Sequence, residues 1–151
     1  MALDFSSYLK VDMDSVPKRL PTLPGGHFFA DITGWKTGTR NFGEGKQETP
    51  VVTILFKITG PDEDVEDPET VPANKVIGKD YELNDPDRRG QIAIRRLAED
   101  TCDLSVKGLE LDGVLDALKG CSVRVFSDPQ PNKKEEGEFF DRITKVLPAH
   151  D

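Results

Sequence analysis

The sequence predicts a mainly β domain with a helical insertion late in the chain, and three observations carry that expectation. Five runs have the composition and alternation of strands, at residues 27–35, 51–59, 75–83, 121–127 and 137–147. Both clear helical patterns, at 86–102 and 112–119, fall between the third and fourth of these runs. The length of 151 residues suits one domain with a substantial hydrophobic core. Three strands, then helix, then two strands is the order of a five-stranded OB-like antiparallel barrel with helix between strands 3 and 4. Such barrels bind extended oligomers, single-stranded nucleic acid above all, across one sheet face and two flanking loops.

Residues 1–24 read as an N-terminal arm ahead of a single domain at 25–151. The arm holds Tyr8, Leu9, Val11 and Val16 without a sustained period, and Pro17, Pro21 and Pro24 forbid a regular helix from Val16 onward. It is expected to pack on the barrel or on another subunit. In 27–35, Phe28, Ala30 and Ile32 alternate with Phe29, Asp31 and Thr33, the period of a half-buried strand. Gly, Thr, Asn and Gln dominate 36–49, which predicts a long flexible hairpin loop. In 51–59, Val52, Ile54, Phe56 and Ile58 share one face of a strand rich in β-branched residues. Residues 61–74 hold too little apolar surface to order themselves and are expected to form a mobile acidic loop. Ile77, Tyr81 and Leu83 face one way in the third strand. Asp85-Pro86 reads as a cap followed by the first helical residue. Ile94, Leu97 and Ala98 form that helix's inner face, while Leu111, Val114, Leu115 and Leu118 form the next one's, ended by Gly120. The predicted core is Phe28, Ile32, Val52, Ile54, Phe56, Leu97, Leu115, Val123 and Val125.

A net charge of −8 argues against a protein that coats itself in DNA through overall basicity. The acid is concentrated, however, in Asp62, Glu63, Asp64, Glu66, Asp67 and Glu69, which leaves room for local basic patches elsewhere. No apolar run approaches a membrane span and no signal-peptide core opens the chain, so a soluble, cytoplasmic protein with no membrane partner is expected. Cys102 and Cys121 lack CxxC spacing, which fits a reducing compartment; a disulfide is the alternative. His27 and His150 are too few for a zinc site, and the acidic run lacks the spaced ligands and central glycine of an EF-hand. No metal and no cofactor is expected. There is no GxSxG, HExxH, P-loop or dinucleotide fingerprint, and the glycines of 34–45 follow a strand without opening a helix. The expectation is a protein that is not an enzyme.

Two segments mix aromatic and cationic groups, as single-strand binding requires: rings stack on bases while cations neutralise phosphates. The first holds Trp35, Lys36, Arg40, Phe42 and Lys46 after strand one; its plainer reading makes Trp35 a core residue at a strand end and the lysines ordinary surface charges. The second holds Lys133 and Lys134 followed by Phe139 and Phe140, diluted by Glu135 and Glu136. One of the two phenylalanines should point inward, and the sequence does not say which; Phe139 stands in the candidate binding set. Both loops flank the same groove in an OB barrel. Lys57 and Arg124, on the second and fourth strands, complete the candidate set. Arg88, Arg89, Arg95 and Arg96 lie seven apart in pairs and form a basic helical stripe, which Glu99 and Asp100 would balance as a solvated face.

Several segments carry a likeness to a family. They are Leu23-Pro24-Gly25-Gly26-His27-Phe28 leading into Ala30-Asp31-Ile32, then Val51-Val52-Thr53-Ile54-Leu55-Phe56. A Leu97-centred helix, Leu118-Lys119-Gly120-Cys121-Ser122-Val123-Arg124-Val125 and a final 139–146 strand follow. Over about residues 20–147 this layout resembles small bacteriophage replication-module proteins related to OB-type single-stranded-DNA-binding proteins. The resemblance implies a non-catalytic single-stranded-DNA-binding protein of a phage replication or recombination module, acting in the host cytoplasm. Its partners would be single-stranded DNA, replication or recombination proteins, and further copies of itself. Many phage single-strand binders end in an acidic, aromatic-tipped tail; this chain ends Lys145-Val146-Leu147-Pro148-Ala149-His150-Asp151, and its acidic tract is internal. Two other classes compete: a phage virion component such as a decoration or tail protein, and an inhibitor whose acidic run mimics nucleic acid.

Overall fold

The computed structural model describes residues 5–15, 21–41, 48–66, 68–72, 74–131 and 139–149. Its strands are β1 (Gly26–Arg40), β2 (Thr49–Pro61), β3 (Val76–Glu82), β4 (Ser122–Ser127), β5 (Gln130–Pro131), β6 (Phe139–Phe140) and β7 (Ile143–Pro148). Five of them form one antiparallel sheet in the order β3-β2-β1-β4-β7, and β5 pairs with β6 separately. A short α1 (Ser6–Leu9) lies in the arm; α2 (Arg89–Arg96) and α3 (Leu111–Leu118) both fall between β3 and β4.

Alternation selects the buried face. Phe28, Ala30 and Ile32 of β1, Val52, Ile54, Phe56 and Ile58 of β2, Ile77 and Tyr81 of β3, and Val123 and Val125 of β4 are buried together. Helical spacing supplies the other wall: Ile94, Leu97 and Ala98 from α2 and its continuation, and Val114, Leu115 and Leu118 from α3. Every residue of the predicted core is buried.

The sheet does not close into a barrel. Among the described residues β3 pairs only with β2 and β7 only with β4. β3 and β7 are neighbours, but no ladder joins them. The reason lies in the insertion: α2 packs on β3 while the wider turn that continues it, Leu97–Thr101, packs on β7. The fold is therefore an open five-stranded antiparallel sheet with two helices.

Other expectations shift in detail. The first hairpin is not a loop from residue 36: β1 continues, paired, to Arg40 opposite Thr49. The second helix begins at Arg89 rather than Pro86, because Arg88 takes a left-handed φ of 58° and ends a turn in which its N–H bonds the Asp85 carbonyl at 2.9 Å. Asp85 still caps the helix, its carboxylate accepting the Arg89 N–H at 2.9 Å. Gly90 allows the approach to β3, since a Cβ there would lie 2.0 Å from the Glu82 carbonyl oxygen. The fifth predicted run breaks into β6 and β7, with the Asp128 N–H bonded to the Arg142 carbonyl beside the break.

The arm packs on the domain through residues 21–23. Leu23 is buried and its N–H bonds the Asp141 carboxylate at 2.8 Å. The same carboxylate takes Lys75 Nζ at 2.6 Å, and Lys75 also bonds the Pro21 carbonyl.

The acidic stretch is anchored where a mobile loop was expected. Val65 is only 6% exposed and belongs to the core. Asp62 meets Arg124 at 3.3 Å, and Asp64 accepts the His27 backbone N–H at 3.0 Å and lies 2.7 Å from His27 Nδ1. Those partners are remote in sequence, so composition alone conceals them; Asp67 lies outside the described residues. Cys102 and Cys121, distant in sequence, are neighbouring free thiols: burial first, then the Cys121 hydrogen bond, pushes the Cys102 thiol pKa well up. Among the described residues no helix is long and apolar enough to cross a membrane.

Candidate nucleic-acid interface

The face of the sheet turned away from the core is assembled by register. In β1, Phe29 stands opposite Arg124 and Asp31 lies between Lys57 and Ser122. His27 stands opposite Phe126, which in turn faces Lys145 on β7, and Lys36 stands opposite Thr53. One surface thus carries two half-buried aromatic rings, Phe29 and Phe126, among Lys36, Lys57, Arg124 and Lys145. The Phe126 ring is held edge-on to His27 at 4.9 Å between centroids, and Lys145 Nζ lies 5.8 Å from its centre.

Carboxylates already occupy part of this surface. Arg40 reaches across β2 to Asp80 at 2.8 Å, and Asp80 also accepts the Thr53 hydroxyl. Asp62 pairs with Arg124, and Asp31 accepts the Ser122 hydroxyl at 2.8 Å. Lys36, Lys57 and Lys145 have no carboxylate partner among the described residues. Flat apolar rings beside unmatched ammonium groups can stack planar groups and neutralise phosphates together.

Of the residues named from sequence, Lys36, Arg40, Lys57 and Arg124 share this face. Trp35 does not. A bulge between Ile32 and Gly34 shifts the register by one, so Trp35 pairs with Ile54 on the core side. There it packs against the core beside α3, and its indole N–H donates to Asp116 Oδ1 at 2.9 Å. It lines a hollow of about 320 Å³ with Val52, Leu111 and Leu115. Phe139, 43% exposed, stands on β6 away from the five-stranded sheet, its carbonyl accepting the Thr22 hydroxyl at 2.8 Å. Phe42, Lys46, Lys133 and Lys134 lie outside the described residues. The arginine stripe divides: Arg88 and Arg95 line a groove beside α3, whereas Arg89 and Arg96 line a larger cleft between β3 and β7.

Phe29, Phe126 and Lys145 were missed, although the signal was present. The alternation that turns Phe28 and Val125 inward turns Phe29 and Phe126 outward. Among the described residues no group of three or more His, Cys, Asp or Glu is placed to hold a metal ion. Comparison with protein-family models and with curated proteins finds no match.

Proposed function

We propose that the protein is a non-catalytic, OB-type binder of single-stranded DNA serving a phage replication or recombination module. The observation that carries this reading is the outward sheet face, where Phe29 and Phe126 sit among Lys36, Lys57, Arg124 and Lys145. The strand order β3-β2-β1-β4-β7, with helices after the third strand, agrees with a partly open OB barrel. Stacking on rings accepts any base, since every base has a flat face, so little sequence preference is expected. The acidic net charge keeps non-specific duplex binding weak, so the local face must supply the attraction.

The test is a titration of a fluorescein-labelled, unstructured oligonucleotide at several salt concentrations. Phe126→Ala is expected to weaken binding by about 1–3 kcal/mol, the range for a stacked base. Lys36→Ala with Lys57→Ala should lower affinity alike for all sequences and flatten the salt dependence, because fewer counterions are released. A wild-type protein that binds no oligonucleotide at low salt removes this reading.

A further inference from the structure

A cleft of about 720 Å³ separates the free edges of β3 and β7, walled by α2. On β3, the Leu83 N–H bonds the Pro50 carbonyl and the Lys75 carbonyl accepts the Ile58 N–H. Odd-numbered residues therefore satisfy β2, and the backbone N–H and C=O groups of Gly78 and Asp80 point outward along the open edge. An open strand edge is a template for another strand unless something guards it.

The side chains around this edge are unmatched donors. Tyr81 is 6% exposed, and its hydroxyl has no hydrogen-bond partner among the described residues. The Lys79 ammonium sits 5.2 Å from the Tyr81 ring centre and forms no ion pair among the described residues; burial pushes its pKa down, and the charge of Asp80 acts the other way. Arg96 lines the same cleft and pairs with no acid among the described residues. Of the acids in the cleft, Asp80 is held by Arg40 and Thr53 and Asp85 by Arg89, while Glu82, at the end where α2 covers the edge, has no cationic partner among the described residues. Apolar surface alternates with these donors, from Ile92, Ala93 and Leu97 on the helix side to Val146 and Leu147 on β7.

We propose that this cleft docks an extended acidic peptide segment of a partner protein, which adds as a strand to the free edge of β3 and sets carboxylates on Lys79 and Arg96. Two features select a peptide. Only a polypeptide supplies the repeating N–H and C=O groups that complete an edge ladder, and an alternating chain matches a cleft in which donors and apolar patches alternate. A nucleic-acid strand would meet the cations but leave the edge unsatisfied. The cleft meets the outward face at its β7 rim, where Lys145 lines it, but Lys79 and Arg96 lie off that face and can be tested separately from DNA binding there.

The probe is a fluorescein-labelled peptide of alternating aspartate and valine, roughly eight residues long to match a strand, titrated by anisotropy. Three comparisons accompany it: the same peptide N-methylated at alternate positions, a lysine–valine peptide, and an oligothymidine. Saturable binding of the acidic peptide, weakened about tenfold by Arg96→Glu or Lys79→Met and abolished by N-methylation, supports the proposal. Circular dichroism and unfolding midpoints confirm that each variant is folded, and the exposed Arg96 variant stands if the half-buried Lys79 variant does not fold. Equal binding of the N-methylated peptide overturns strand addition, and equal binding of the lysine–valine peptide overturns charge recognition. Oligothymidine binding that falls in Arg96→Glu while the acidic peptide fails to bind would assign the cleft to nucleic acid instead. No binding of the acidic peptide overturns the proposal, and oligonucleotide binding that survives in Arg96→Glu keeps the two sites distinct.

Discussion

Gly90→Ala is the sharpest probe of how the helical insertion is held. In an unconstrained helix the change is favourable by up to about 1 kcal/mol, because alanine loses less conformational freedom than glycine. Here the new methyl group would stand 2.0 Å from the Glu82 carbonyl oxygen, roughly 1.4 Å short of ordinary contact. The obstruction is strand backbone, which cannot swing aside, so α2 must lift from β3. Lifting it withdraws Ile94, Leu97 and Ala98, all buried, from the core. Overpacking of that kind costs about 3 kcal/mol, leaving a net loss of about 2 kcal/mol after the helix gain. For a chain of this length the midpoint of thermal unfolding should fall by about 4–8 °C. Gly113→Ala is the matched control: its methyl group meets nothing nearer than Leu109 at 3.6 Å, so the same chemical change in α3 should raise the midpoint by about 2–4 °C. The assay is calorimetry or circular-dichroism melting of both variants beside the wild type. A Gly90→Ala protein as stable as the wild type would refute the close packing of α2 on β3.

Two further outcomes are expected. Trp35 emission should change little when oligonucleotide saturates the outward face, and Trp35→Phe should cost about 1 kcal/mol of stability through the lost bond to Asp116; strong quenching would place the ligand on the α3 side. The hydrogen bond from the His27 side chain, aided by its backbone N–H, holds the Asp64 carboxyl below the usual carboxylate range. A lowered folded-state value gives stability that is present above the ordinary carboxylate pKa and lost as pH falls through the lowered one. Asp64→Asn should therefore flatten the acid limb of a plot of unfolding midpoint against pH, and an unchanged slope would show that the pair contributes nothing.

Much of the fold was legible because burial and period coincide. In β2 the apolar residues recur every second position, and in α3 every third or fourth, so both faces could be read without tertiary information. Trp35 was misplaced because a single added residue in β1 reverses which positions face the core, and nothing in the composition around Thr33 announces a bulge. The helix start at Arg89 was obscured by Pro86, which suits a first helical turn and a tight turn equally well. In the acidic stretch the carboxylates outnumber one telling residue, Val65, and the groups that receive Asp62 and Asp64 come from β4 and β1. The open seam depends on how the insertion wedges between two end strands, a property of packing that no local pattern encodes.

The bulge in β1 makes chain length at that point a matter of parity. Beyond it, Trp35 and Thr37 face the helices while Lys36 and Arg40 face outward. Thr33 is the extra residue, so deleting it alone would leave Ile32 on Phe56, Gly34 on Leu55 and Trp35 on Ile54, a regular ladder with the same faces. Deleting Gly34 as well would exchange the two sets, driving two cations toward the core and an indole into solvent. Loss of one residue here should therefore be tolerated by the fold and loss of two lethal to it, whatever residues are involved.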